Sequence, residues 1–481
     1  MNKKIHIETL GCRLNQIESE SVAAFFSDDG FTVAMKSITS KDKEDSDCVL
    51  CVVNTCTVTA KAEQKARRII RLLLKKYPSS IVVVTGCYAQ VNKEEISAID
   101  ERVVVLPGRV KSRLADVPSI VSSVLIESEN NVELIQKKIK EHLESKVLFK
   151  PVTDTSENPF KLATDTFLHH SRSSIKIQDG CNCRCSYCEI CIARGKSVSL
   201  EVSEVLKQVE KLIAAGQKEI VITTVNIAQY KSEYEGKIVD IAGLLEILLN
   251  KTKGVSFRFS SLYPQIVDER LCELIKDERV RPHFHLSVQS GSDEVLLKMN
   301  RPYKAQAVID ACNRLKAAKK NPYLACDIIA GFPGERDEDF KATMNLIKEC
   351  GFTWVHAFPF SPRPNTVAFT MKPKVPEFVT GKRVDELLEY SFESKINYIN
   401  SLKGTVHKAI VETSHNLNAL KIRDGKKVVH AVSDNFLHCV VLIDDGKEIP
   451  SAGSEVDVEI VSPLVDEIKR NGEQEVLARL T

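Results

Sequence analysis

A chain of 481 residues, 43% apolar and 27% charged, has the composition of a folded globular protein with room for two to four domains. With 67 lysines and arginines against 65 aspartates and glutamates, the net charge is +2, so contact with a polyanion has to come from local patches rather than an overall field. No run of about 18 apolar residues occurs, which excludes a membrane-spanning helix. The opening Met-Asn-Lys-Lys-Ile-His-Ile-Glu-Thr-Leu alternates like a strand and lacks an apolar signal core, so a cytoplasmic location is expected. The 15 cysteines are then expected to be metal ligands or buried thiols rather than disulfides.

Residues 1–125 alternate short apolar strands with helical patterns. Residues 5–10 alternate and end at Gly11-Cys12; residues 49–53 form an apolar run before Asn54-Thr-Cys56; residues 81–84 form another before Thr85-Gly-Cys87. Helical patterns lie at 14–27, closed by Gly30, and at 60–76, stopped by Pro78. This order implies a parallel sheet with ligands at the carboxyl ends of its strands. Cys12, Cys56 and Cys87 each follow such an end and should meet at one edge. Three thiols in equivalent places suggest an iron–sulfur cluster with one iron left open, with small buried thiols as the alternative. Cys48 and Cys51 read as core or flank. The 60–76 helix is basic through Lys61, Lys65, Arg67, Arg68, Arg71, Lys75 and Lys76, as a solvated face would be and as phosphate contact would require.

Residues 126–172 are polar and turn-rich, with one helical pattern at 132–143, and read as a linker. A strand at 175–178 then leads into Asp179-Gly-Cys-Asn-Cys-Arg-Cys-Ser-Tyr-Cys188. Cys181, Cys185 and Cys188 share one short loop, and thiolates so spaced can bind a cubane cluster whose fourth iron lacks a protein ligand. Such an iron is free to bind a small molecule, as a catalytic centre needs. A structural zinc loop would need a fourth ligand from Cys183 or Cys191. Further strands are expected near 219–224, 255–260, 283–288, 326–330 and 353–358, with helices between them, which fits a partial parallel barrel active at its strand C-termini. Leu286-Ser-Val-Gln-Ser-Gly-Ser292 ends one strand in small polar groups, among them Gln289 and Ser290, able to hydrogen-bond a ribose. Asp327-Ile-Ile-Ala-Gly-Phe-Pro-Gly-Glu335 ends another with Gly331 and Gly334, where backbone can approach a ligand closely.

Residues 403–470 read as a small β-barrel with strands at 406–412, 418–422, 428–431, 436–443 and 456–460 and turns at Asp424-Gly425 and Asp445-Gly446. Lys403, Lys408, Lys421, Arg423, Lys426 and Lys427 make part of it basic, which suits RNA contact and equally a solubilising surface.

The Cys-x3-Cys-x2-Cys loop followed by Arg194-Gly195 resembles the signature of the radical S-adenosylmethionine (SAM) enzymes. Thr9-Leu-Gly-Cys-Arg-Leu-Asn-Gln-Ile-Glu-Ser19, Asn54-Thr-Cys-Thr-Val-Thr59 and Thr85-Gly-Cys87 look like the N-terminal domain of the methylthiotransferases, and Ser433-Asp-Asn-Phe436 resembles the TRAM domain that binds RNA. Phe358-Pro-Phe-Ser-Pro-Arg-Pro-Asn-Thr366 looks like the closing strand and Arg-containing loop of the radical SAM barrel.

The resemblance implies an α/β chain in family order: an auxiliary-cluster domain at 1–125, a linker at 126–172, a partial (β/α)6 radical SAM barrel at 173–400 and a TRAM-like β-barrel at 403–470. It implies that Cys12, Cys56 and Cys87 hold an auxiliary [4Fe-4S] cluster and that Cys181, Cys185 and Cys188 hold the catalytic [4Fe-4S] cluster. It also implies that Gln289, Ser290, Gly331, Gly334 and Glu335 contact SAM.

The motifs look most like the branch that adds a methylthio group to C2 of N6-threonylcarbamoyladenosine at adenosine 37 of tRNA. The isopentenyladenosine branch, the branch acting on an aspartate of a ribosomal protein, and a non-catalytic iron–sulfur protein are the alternatives. The tRNA anticodon stem-loop, an electron donor and a sulfur source are the implied partners. Cys183 and Cys191 within the loop, Tyr263 in place of a common Glu and Asn365 in place of a common Gly depart from the family pattern.

Overall fold

The computed structural model describes residues 3–127, 132–144, 158–163, 172–412, 422–423 and 426–481. The chain divides into two compact units that do not follow chain order. One holds residues 1–169, 178–200 and 361–369, and the other holds 170–177, 201–360 and 370–481. Among the described residues, no helix is long and apolar enough to cross a membrane.

The first unit is built on five strands, β1 (Lys4–Thr9), β2 (Thr32–Ala34), β3 (Cys48–Thr55), β4 (Ile81–Gly86) and β5 (Val103–Val105), in the order β2-β1-β3-β4-β5. Every pair is parallel. β3 and β4 are buried at every position, because helices cover both faces, and this is why they read as unbroken apolar runs. Helix α1 (Arg13–Asp28) supplies Val22 and Phe26 to one core. Helix α2 (Ala60–Lys76) supplies Ala66, Ile69, Ile70 and Leu73 to the other, and its first turn is capped by Thr59, whose side chain accepts from the Ala62 amide.

The stretch expected to be a linker contributes to this unit. Helix Val132–Glu144 buries Ile135 and Ile139 in the first core, and Leu162 joins them. Two isoleucines four residues apart form an apolar stripe too narrow to stand out in a charged segment.

In the second unit, strand Ser173–Asp179 enters from residues 173–177, and its neighbours in the sheet are Glu219–Thr224 and then Ser256–Phe259. Strands His283–Gln289, Tyr323–Ala330 and Trp354–Pro359 pair in parallel, with Ser261–Leu262 on the open side of the first. The six barrel strands fall where the sequence places them.

The C-terminal barrel closes through five strands in the order Val406–Val411, Glu455–Pro463, Val476–Leu480, His438–Ile443, Lys426–Ser433, the last pairing back to the first. Its composition differs from expectation. The 418–422 strand lies outside the described residues except for Ile422, and the fifth barrel strand is Val476–Leu480, beyond the expected boundary at 470. This short strand runs parallel to His438–Ile443 and antiparallel to Glu455–Pro463, a pairing between distant segments that its own sequence does not announce.

Candidate functional site

In the first unit Cys12, Cys56 and Cys87 lie at one edge of the sheet. Cys56 and Cys87 directly follow β3 and β4, and Cys12 opens α1 just after β1. The turn carrying Cys12 passes so close to Cys56 that a Cβ on Gly11 would lie 2.6 Å from the Cys56 Cβ, and Gly11 sits at φ +108°, so both space and backbone demand glycine. Burial pushes the Cys56 thiol up to about 12, with Cys87 and Cys12 adding to it and the Val58 amide and Arg194 opposing. Cys87 is raised by burial as well, with Arg194 opposing.

Arg194 is the buried cation of this edge. It donates to Asp179 Oδ1 at 3.0 Å, to Glu18 Oε1 at 3.3 Å and to Asn15 Oδ1 at 2.7 Å. Asn15 in turn donates to the Leu10 carbonyl at 2.8 Å and the Thr55 carbonyl at 3.1 Å, holding the ends of β1 and β3 together. Lys111 adds a second cation on Glu18, at 2.5 Å.

The loop 180–188 belongs to the same unit. Gln178 braces its base by donating to the Gly180 carbonyl at 2.7 Å and to Ser197 Oγ at 2.8 Å, and the Cys181 amide donates to the Gly195 carbonyl at 3.0 Å. Cys181, Cys185 and Cys188 are half-buried. Burial raises Cys188 to about 12, and Cys185, Cys181 and Cys191 add to it. Arg109 fixes the following short helix by donating to the carbonyls of Ile192 at 2.7 Å and Cys191 at 3.3 Å.

Arg363, from the segment 361–369, joins the two cysteine regions. Its Nε donates to Glu189 Oε2 at 3.0 Å, and a terminal nitrogen reaches Thr57 Oγ1 at 2.9 Å and Glu63. Asn365 donates to the other oxygen of Glu189 at 3.2 Å. This gives the departure from the family's glycine at that position a contact of its own.

The donor chemistry suits thiolate-bound iron–sulfur clusters, while among the described residues no three such side chains are gathered around the position of a single metal ion. Backbone amides two residues downstream point at three of the sulfurs: Val58 at Cys56 (3.4 Å), Cys183 at Cys181 (3.4 Å) and Ile190 at Cys188 (3.5 Å). A neutral thiol is a weak acceptor, so amides aimed at sulfur suit the thiolate that iron binds. Cys48 and Cys51, 3.9 Å apart in the first half of β3, pair with each other in the core.

The strand-end turns of the second unit carry the other candidates. Glu335 is buried and committed inside the protein: Oε2 accepts from the Gly331 amide at 2.6 Å and from Arg383 at 2.7 Å. Gly331 is required by the close approach of Thr380, which a Cβ would strike. The Gly334 amide donates to the Pro373 carbonyl at 2.8 Å, and the Ser290 hydroxyl meets Thr343 at 3.3 Å and accepts from the Ser292 amide. Gln289 is different, a non-glycine residue at φ +69° on the last position of its strand. Backbone strain of this kind gathers at ligand sites.

Sequence reading missed a polar row on one face of the same sheet. His285 lies 3.0 Å from Asp327 and stacks on His356 with ring centroids 5.0 Å apart, and Arg301 covers the rings of Tyr263 and Tyr303 at 4.6 and 4.9 Å. The available signal was the period of two that puts His285 and Ser287 on one face and Leu286 and Val288 on the other.

The basic patch expected on the C-terminal barrel is partly neutralised. Lys408 pairs with Glu455 at 3.1 Å and Lys426 with Asp444 at 2.5 Å, while Lys421 and the Arg423 side chain lie outside what is described. Ser433 and Asn435 are buried, and the Phe436 ring packs at a tilt against His283, centroids 4.3 Å apart, beneath Arg258 and Arg172. The motif Ser433-Asp-Asn-Phe436 therefore docks this barrel onto the strand barrel.

Three cysteines at the sheet edge and three on one loop therefore lie in one compact unit, the side chains that iron–sulfur clusters use as ligands. Residues 175–347 match the Radical SAM superfamily, and residues 4–108 match the uncharacterized protein family UPF0004. The threonylcarbamoyladenosine tRNA methylthiotransferase MtaB of Treponema pallidum (strain Nichols) is 40% identical across 95% of this chain and 98% of its own. The protein of the same name from Aquifex aeolicus (strain VF5) is 33% identical across 89% and 98%. The tRNA-2-methylthio-N(6)-dimethylallyladenosine synthase of Anaplasma marginale (strain St. Maries) is 30% identical across 85% of each chain. The chain belongs to the radical SAM methylthiotransferase family.

Proposed function

We propose that this protein is a tRNA methylthiotransferase that adds a methylthio group to C2 of N6-threonylcarbamoyladenosine at adenosine 37, using two [4Fe-4S] clusters and SAM. The observation that carries this reading is the gathering of two separate three-cysteine sets in one compact unit. The branch follows the relatives, six of which bear the threonylcarbamoyladenosine name.

Cys181, Cys185 and Cys188 would hold the cluster that binds SAM, and Cys12, Cys56 and Cys87 would hold the auxiliary cluster. When bound, the SAM-loaded cluster supplies a carbon radical able to take hydrogen from an unactivated C–H, and the auxiliary cluster supplies the site of sulfur handling. The chain's own residues orient and shield these groups. Gln178 and the Gly195 carbonyl hold the loop in shape, Asn15 draws two cysteine-bearing strand ends together, and Arg194 offsets negative charge beside Cys12 and Cys87. Gln289, strained at its strand end, is the candidate for direct contact with SAM, and Ser290, Gly331, Gly334 and Glu335 shape the turns at their own strand ends. The anticodon stem-loop of tRNA, an electron donor and a sulfur source complete the reaction, which this reading places in the cytoplasm.

Mass spectrometry of tRNA nucleosides from cells with and without the gene tests the reading. Loss of 2-methylthio-N6-threonylcarbamoyladenosine with accumulation of its precursor supports it. Loss of the methylthio group from the isopentenyl nucleoside alone would move the protein to the sister branch.

A further inference from the structure

The outer face of α2 carries a concentration of charge that the cluster sites do not use. We propose that this face binds the phosphate backbone of the tRNA substrate, an inference that rests on the tRNA reading above. The helix holds seven lysines and arginines against one carboxylate, an excess larger than the +2 of the whole chain. That carboxylate, Glu63, is turned inward onto Thr57 and Arg363 and neutralises nothing outside.

Lys61, Lys65, Arg68, Arg71 and Lys75 are exposed, and their spacing of four, three, three and four residues sets them on one face, opposite the buried Ala66, Ile69, Ile70 and Leu73. Among the described residues, none of these five has a carboxylate within ion-pair distance; the helix's one such partner is Glu95, on Arg67 at 2.9 Å. Helix Val202–Ala214 shows the ordinary pattern, with Glu204, Lys207, Glu210 and Lys211 interspersed and Lys207 paired to Glu204 at 3.6 Å. On α2 each neighbouring pair along the stripe is like-charged, so the stripe weakens the helix that bears it until an anion arrives.

The shape of the face selects a polyphosphate. From Lys61 to Lys75 the stripe runs about 21 Å at the helical rise per residue, long enough to span several consecutive phosphates of one strand. Its near end also sits beside the chemistry, because α2 starts at Ala60, just after Cys56 and the capping Thr59. A polyanion laid along α2 would thus extend away from the cysteine edge.

The test uses full-length, cluster-loaded protein and a fluorescein-labelled tRNA bearing N6-threonylcarbamoyladenosine, titrated at rising KCl. The triple variant Lys65→Gln, Arg68→Gln, Arg71→Gln should bind about tenfold or more weakly near 100 mM salt. The slope of log affinity against log salt should fall by about 2 to 3, close to one unit per phosphate contact removed. The charge-preserving triple Lys65→Arg, Arg68→Lys, Arg71→Lys should keep the wild-type slope, which separates charge from helix integrity. The pair Lys207→Gln, Lys211→Gln controls for loss of charge elsewhere and should leave the slope unchanged. An unchanged slope in the first triple, or an equal drop in the control pair, overturns the proposal while leaving the substrate reading intact. Failure of the wild type to bind this tRNA would overturn both.

Discussion

Arg363 donates to Glu189 Oε2 at 3.0 Å from a buried position, and the same guanidinium bonds Thr57 and Glu63. Thr57 follows Cys56 and Glu189 follows Cys188, so one side chain couples the residue after a candidate auxiliary ligand to the residue after a candidate catalytic ligand. The planar fork of arginine meets both carboxylates at once, which the single ammonium of lysine does not reproduce.

Replacing Arg363 with alanine leaves Glu63 and Glu189 buried without their cation and should lower stability by about 3 to 5 kcal/mol. Arg363→Lys should fold with full iron content yet turn over at least about tenfold more slowly, because it keeps the charge but loses the geometry. Thermal unfolding, iron analysis and single-turnover methylthiolation check the pair. Wild-type turnover by Arg363→Lys would show that the bridge is dispensable.

The two cysteine sets should separate by iron count and by chemistry. Changing Cys12, Cys56 and Cys87 together to alanine should take bound iron from about eight to about four per chain and spare SAM cleavage while abolishing sulfur insertion. Changing Cys181, Cys185 and Cys188 should also halve the iron but abolish SAM cleavage. Iron assay with chromatography of 5′-deoxyadenosine reads both, and loss of all iron in either triple would contradict two independent sites.

Phe436 holds the C-terminal barrel to the strand barrel through His283, Arg258 and Arg172. Phe436→Ala removes a half-buried ring and should cost about 1 to 3 kcal/mol. Limited proteolysis should then release the C-terminal barrel near residue 403 earlier than in the wild type. Unchanged protease resistance would place the docking energy elsewhere.

Glu219 is buried between Arg258 (2.8 Å) and Arg281 (3.0 Å). Burial alone would raise its carboxyl, but Arg258, Arg172 and Arg281 bring it down to about 2. A carboxyl depressed from its ordinary 4.5 contributes stability that is fully present above pH 4.5 and is lost as pH falls toward 2. Glu219→Gln should therefore unfold at a lower temperature than the wild type at pH 7, by an amount corresponding to about 3 to 5 kcal/mol. The gap should narrow as the pH drops below 4.5. A gap independent of pH would mean that the charge of Glu219 is not what stabilises the site.

The sequence by itself determined the chemistry-bearing elements. The loop with Cys181, Cys185 and Cys188 is a local motif, and Cys12, Cys56 and Cys87 are placed by apolar strands whose ends can be read from a few neighbouring residues. Parallel pairing then carries those ends to one edge. The six barrel strands were legible for the same reason, since each is a short run between helices.

Only the tertiary structure decided what holds these parts together. Arg363 meets a glutamate 300 residues away, and Arg194 meets Asn15 across 179 residues. It also decided that the charged stretch after residue 126 buries two isoleucines, that Val476–Leu480 completes the last barrel and that Phe436 serves docking. Polar partners buried in pairs, and strands matched across distant segments, are chosen by the space and charge around them. That surrounding comes into being only when the chain has folded, so no window of sequence contains it.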